Sequence, residues 1–186
     1  MPIHVPKAPP EGVHLIRNRL RVWRQDLRSL GSPSGELLVH ETFRLYNTTR
    51  SALFSNAFLK SAVPTAWLYV LGSAEHAVAE LSTARPDGVP GLTYAGLYPH
   101  DYGSALLNAA VRARELAAQT TSFYDLRVLR APSLSLLAIW LHGPEDLLLP
   151  IYAPDSLQDR GIVTESELVE TLLPLAEQRR SAPRLT

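Results

Sequence analysis

The chain has 186 residues, with 18 basic and 18 acidic side chains. Its formal net charge is therefore zero, which argues against a dedicated nucleic-acid binder, since such domains carry a basic excess. Hydrophobic residues make up 46% and charged residues 19%; that is the balance of a folded chain long enough to bury a core without staples, and zero Cys excludes disulfides, thiol nucleophiles and cysteine metal sites.

Residues 1–12 hold Pro2, Pro6, Pro9 and Pro10. Proline fixes φ and donates no amide, so this stretch reads as an extended arm with little to bury. Residues 13–30 read as an amphipathic helix: Ile16, Leu20, Trp23, Leu27 and Leu30 fall on one stripe, and Arg17, Arg21, Arg24 and Arg28 lie off it. A strand competes at its start, where Ile16, Leu20 and Val22 alternate with arginines. The helix either covers the domain's own core or serves as a partner helix, a membrane-surface anchor or a transit peptide. Gly31 is its expected stop, and Ser32 to Gly35 form a break.

Residues 36–46 fit a strand through Leu37, Val39, Phe43 and Leu45, or a helix opened by Pro33. A helix is expected over residues 51–62, capped by Asn47 and Thr48 and ended by Pro64. Ala66 to Leu71 read as a buried strand closed by Gly72, and Ser73 as the cap of an Ala-rich helix over 74–84. The best-defined helix spans 103–119, where Ala105, Ala109, Ala110, Ala113 and Ala117 make a face suited to close packing. Strands follow at 126–131, 134–142 and 147–152. Their connections are too short for crossover helices, so they should be antiparallel neighbours. Pro150 places the last of them at an edge or ends it early. Thr164 to Glu167 matches a capping box that opens a final helix, which Pro174 kinks or ends. The expected fold is α+β, a mainly antiparallel sheet with a C-terminal meander packed with several helices. It would form a single domain over 13–180, followed by a flexible tail over 181–186.

No Walker loop, dinucleotide glycine pattern or zinc-protease helix is present, and no cofactor is implied. Gly72-Ser73 after a strand faintly resembles a nucleophile turn, but Glu75 stands where that turn needs glycine. The histidines make no helical pair. His142 with Glu145 and Asp146 reads as a solvated hairpin tip. The most informative stretch runs from Arg85 to Gly103, where three of the seven tyrosines fall within nine residues. Tyrosine offers large amphipathic contact area at low entropic cost, so Tyr94, Tyr98, His100, Asp101 and Tyr102 are the candidate binding residues. The plainer alternative is a short strand that packs Tyr94 and Tyr98 onto the core.

Charge is polarised along the chain. Residues 1–30 carry six positive and two negative side chains, net +4, and residues 141–177 carry one positive and eight negative, net −7. These ends can meet within one chain or between copies. The expectation is a non-catalytic protein-interaction or assembly module that uses the Tyr-rich loop and the basic N-terminal helix. Its partner would be another protein or its own copy. Alternatives are a small-ligand protein with a pocket near Tyr94 to Tyr102, and a hydrolase using His100 and Asp101, with His142. With no apolar run of membrane length and no signal-peptide pattern, a cytoplasmic location is expected.

Overall fold

The computed structural model describes residues 3–22, 38–55, 57–72, 77–83, 91–158 and 160–181. The expected helix beyond residue 22, the break at 32–35, the Ser73 cap, the turn at 85–90 and the tail from 182 lie outside them.

Among the described residues, nine strands form one sheet, mostly antiparallel. In chain order they are β1 (Ile3–His4), β2 (Val39–Asn47), β3 (Val63–Leu71), β4 (Ala77–Ser82), β5 (Thr93–Tyr98), β6 (Tyr124–Ala131), β7 (Leu136–His142), β8 (Leu147–Tyr152) and β9 (Val163–Thr164). The sheet order is β5-β4-β3-β2-β6-β7-β8-β9, with β1 paired to β6 off this path. Among the described residues, only β1–β6 and β2–β6 are parallel. The helices are α1 (Glu11–Val22), α2 (Arg50–Phe54), α3 (His100–Ala118), α4 (Asp155–Gln158) and α5 (Glu165–Ser181).

One sheet face packs on α3. Leu106, Ala109, Ala110, Ala113 and Ala117 meet Phe43, Leu45, Leu68, Val78, Leu126, Val128, Ile139 and Leu141. The alanines bring the helix axis close to the strands, and Pro99, with φ −69°, starts the helix where an amide would go unused. The opposite face is covered in two patches. Ile16 and Leu20 of α1 sit on Trp67, Tyr69, Leu71, Ala79 and Leu81. Leu168, Leu172 and Ala176 of α5 sit with α2 and α4 on Leu129, Ala138, Trp140 and Leu148. Thr164 and Glu167 close the expected capping box, with the Thr164 amide donating to Glu167 at 2.8 Å, and α5 continues through Pro174.

The successive antiparallel pairings of β6, β7 and β8 follow the expectation, including burial of β7 on both faces. Pro150 is accommodated because β9 pairs only with Leu147 and Leu148, so nothing asks Pro150 for a donor on that side. Residues 39–47 resolve as strand.

Three expectations are corrected. The Ala-rich segment is a strand, β4, not a helix: Ala77, Val78, Ala79, Glu80 and Leu81 are all buried between β3 and β5. Two buried faces outweigh the few tenths of a kcal/mol per residue that helix propensity offers. The helix expected at 51–62 is the short α2, and Pro64 lies inside β3, opposite Tyr46 at a register shift. The arm is not idle. Ile3 and Val5 pack on the central core, β1 pairs with Tyr124 and Asp125, and Tyr69 Oη donates to the Pro9 carbonyl at 2.8 Å.

Candidate functional site

The Tyr-rich stretch is β5 leading into α3, so Pro99 is the joint between strand and helix. A β-bulge decides which way its tyrosines face. Glu80 pairs with Gly96 and Leu81 with Tyr94, leaving Ala95 as the extra residue. That insertion reverses the two-residue alternation. Tyr98 therefore stays on the α3 face, while Tyr94 turns to the α1 face, where the Arg19 guanidinium lies 5.8 Å from its ring. Of the five candidates, Tyr98 and Tyr102 come together. Tyr94 is on the other side of the sheet, and His100 and Asp101 are exposed in the first turn of α3.

Tyr98 and Tyr102 stack at 4.8 Å between ring centroids, and Tyr102 stacks on Tyr152 of β8 at 5.9 Å. The row of three rings links β5, at one side of the sheet, with β8, near the other. The same closeness appears between β4 and β6, which are three places apart in the order and would be ~14 Å apart in a flat sheet. Arg130 of β6 nevertheless donates Nη1 to Glu80 Oε2 at 2.7 Å and Nη2 to Glu80 Oε1 at 2.9 Å. Helix α3 touches β4 on one side and β7 and β8 on the other, so the sheet wraps around it, and this cluster occupies that concave face at the N-terminal end of the helix. Tyr98 Oη donates to Glu80 Oε2 at 2.7 Å, and Arg130 Nε donates to Asn47 Oδ1 at 3.1 Å.

These bonds set the electrostatics. Burial, then the Glu80 carboxylate, push the Tyr98 hydroxyl above its usual value, and burial pushes Tyr102 further up. Both stay neutral hydrogen-bonding groups. Burial works against the Arg130 charge, but Glu80 outweighs it and holds the guanidinium above its ordinary value. Arg130 and Glu80 neutralise each other and present little net charge.

Beside this pair opens a recess of about 420 Å³, lined by the three stacked tyrosines, Arg130, Pro132, Ser135, Leu136 and Leu137. Its walls are mainly apolar, with hydroxyls and one guanidinium at the margin. Ser135 holds the turn between β6 and β7 with φ +55°, a left-handed conformation uncommon for a residue with a side chain. Sequence reasoning missed Tyr152, Arg130 and Glu80. Tyr152 is 50 positions beyond Tyr102, and only the packing of α3 against the sheet joins them.

His100 begins α3 on one side of the sheet. His142 lies on the other side, where its Nδ1 and Asp146 Oδ1 are 2.8 Å apart. The sheet separates the two histidines, so they do not share a water as the hydrolase reading needs. Among the described residues, no three His, Asp or Glu side chains converge on a metal position. Among those residues, too, no helix is long and apolar enough to cross a membrane. Compared with known proteins, the chain matches no family model, no curated protein and no solved structure.

Proposed function

We propose that this protein is a non-catalytic binding module whose docking point is the tyrosine-lined recess on the concave face. The observation that supports it is the row of Tyr98, Tyr102 and Tyr152 beside an apolar recess of about 420 Å³. Stacked tyrosines lose little entropy when a ligand covers them, because their rings are already held. An apolar side chain protruding from a partner protein would gain ring contact there without displacing a charge, since Arg130 is already satisfied by Glu80. The balanced charge of the chain supports a protein partner over a nucleic acid. In this reading the chain acts as one domain in the cytoplasm, a setting that suits a chain without cysteine. The basic helix α1 has a structural part, because its apolar stripe lies on β3 and β4.

The volume supports a second reading, a small mainly apolar ligand, since 420 Å³ falls within the usual range of ligand pockets.

Tyr152 is the residue to change, being 40% exposed at the edge of the recess. Tyr152→Ala should leave the thermal midpoint within ~2 °C. It should weaken capture of a partner, or self-association measured by sedimentation, by about 10-fold or more, as loss of an aromatic anchor does. A folded variant that retains every interaction of the wild type would overturn this reading.

A further inference from the structure

The face opposite α3 carries a second arrangement, independent of the tyrosine recess. Arg44 of β2 lies directly across from Trp67 of β3, and Arg127 of β6 directly across from Trp140 of β7. Strands β2 and β6 are parallel neighbours with Leu45 beside Val128. One step earlier on both strands, Arg44 therefore stands beside Arg127. Leu45 and Val128 point into the α3 core, so both arginines point to the other face. The result is a row across four strands: tryptophan, arginine, arginine, tryptophan. Each guanidinium lies over aromatic surface of this face. Arg44 sits 4.9 Å from the Trp67 ring centroid; Arg127 sits 4.9 Å from Trp140 and 4.8 Å from Tyr46.

This row lies between the two covered patches of that face, with Trp67 in the α1 patch and Trp140 in the α5 patch. The arginines are half-buried. Like charges on neighbouring strands are unfavourable unless something compensates them. Arg127 has Asp125, with Nη2 donating to Oδ2 at 3.0 Å. Asp146 is engaged by Trp140 Nε1 at 2.9 Å and by His142. Among the described residues, Arg44 has no carboxylate partner, and burial pulls it below the usual arginine value, with Tyr46 opposing. A half-buried guanidinium without a carboxylate, set on an indole ring and next in the row to a second arginine, is the chemistry that recognises an oxyanion.

We propose that Arg44 and Arg127 form an oxyanion site over the seam of β2 and β6, holding one carboxylate or phosphate group between Trp67 and Trp140. The guanidiniums supply the hydrogen bonds, and the indoles offer flat apolar surface to whatever carries the anion. The site needs nothing from the tyrosine recess, so the two proposals stand or fall separately.

The test uses the full chain, titrated with inorganic phosphate and separately with benzoate. Tryptophan fluorescence and calorimetry report binding, and thermal melts report the linked stabilisation. Trp23→Phe serves as the background, so that the fluorescence reports Trp67 and Trp140. The expected result is a saturable response to at least one anion below ~10 mM. Preference for phosphate assigns a phosphoryl ligand, and preference for benzoate assigns an aromatic carboxylate; either supports the site. Arg44→Gln should weaken binding at least 10-fold while keeping the fold, and Arg44→Lys should recover only part of it. No saturable response in the wild type would overturn the proposal. So would equal affinity in Arg44→Gln, which would leave Arg44 as a packing residue on Trp67.

Discussion

Glu80 is the most consequential single residue on the concave face. It is buried to 6% exposure, accepts from Tyr98, and is gripped by both terminal nitrogens of Arg130. Removing one partner of such a pair leaves a charge in a poorly solvated place, at a cost of ~3 kcal/mol. Arg130→Met alone should therefore lower stability by about that amount in urea melts. The double variant Arg130→Met with Glu80→Leu should be less destabilised than the single one, because no unpaired charge remains. Neither partner was legible in the sequence, since an Arg and a Glu 50 positions apart announce nothing. The tyrosines were legible as a cluster, but a single extra residue at Ala95 decided that Tyr98 would join Tyr102 and Tyr94 would not.

Among the elements, β1 and α1 depend on contacts that composition hides. Gly12 opens α1 against the Tyr69 ring, and an added methyl would overlap the Tyr69 hydroxyl and Leu81. Gly12→Ala should therefore cost ~2 kcal/mol, although alanine is the better helix former, and a thermal melt should show the loss. β1 is held to β6 partly through Asp125, which engages His4 at 2.9 Å and Arg127 at 3.0 Å. Burial works to raise the Asp125 carboxyl, but the bonds from His4 and Arg127 and the Arg127 charge together outweigh it and hold it below the usual value. A lowered folded value means that the contribution is complete above the unfolded carboxyl pKa of about 3.9 and is lost as pH falls through the lower folded one. The stability difference between wild type and Asp125→Asn should accordingly narrow in melts taken downward from about pH 5.

For the whole molecule, the sheet closes around α3 like a hand, and the arm lies against it. Ile3 and Val5 touch the central core, and Tyr69 donates to the Pro9 carbonyl. Deleting residues 1–8 should lower the thermal midpoint by ~5 °C, since a chain of this size loses about 2–4 °C per kcal/mol. An unchanged midpoint would show that the arm contributes nothing on folding. The polarity of charge also takes a spatial form. The basic helix α1 covers the β3–β4 end of one face, and the acidic helix α5 covers the β7–β8 end of the same face.

The sequence alone determined the elements whose signal is local. Helix α3 follows from its alanine spacing, although it begins at His100 rather than at 103, the antiparallel β6, β7 and β8 from their short connections, and the start of α5 from Thr164 and Glu167. Only the tertiary structure decided the rest. β4 is a strand because it pairs with β3 and β5 while α3 and α1 cover its two faces, an environment its alanines do not specify. The short α2 and the docked arm depend on distant surfaces, and the tyrosine recess on a bulge and a curved sheet. The row of Trp67, Arg44, Arg127 and Trp140 exists through strand register alone. Local energies choose helix or turn within a few residues, but pairing and curvature are set by contacts between segments far apart in the chain.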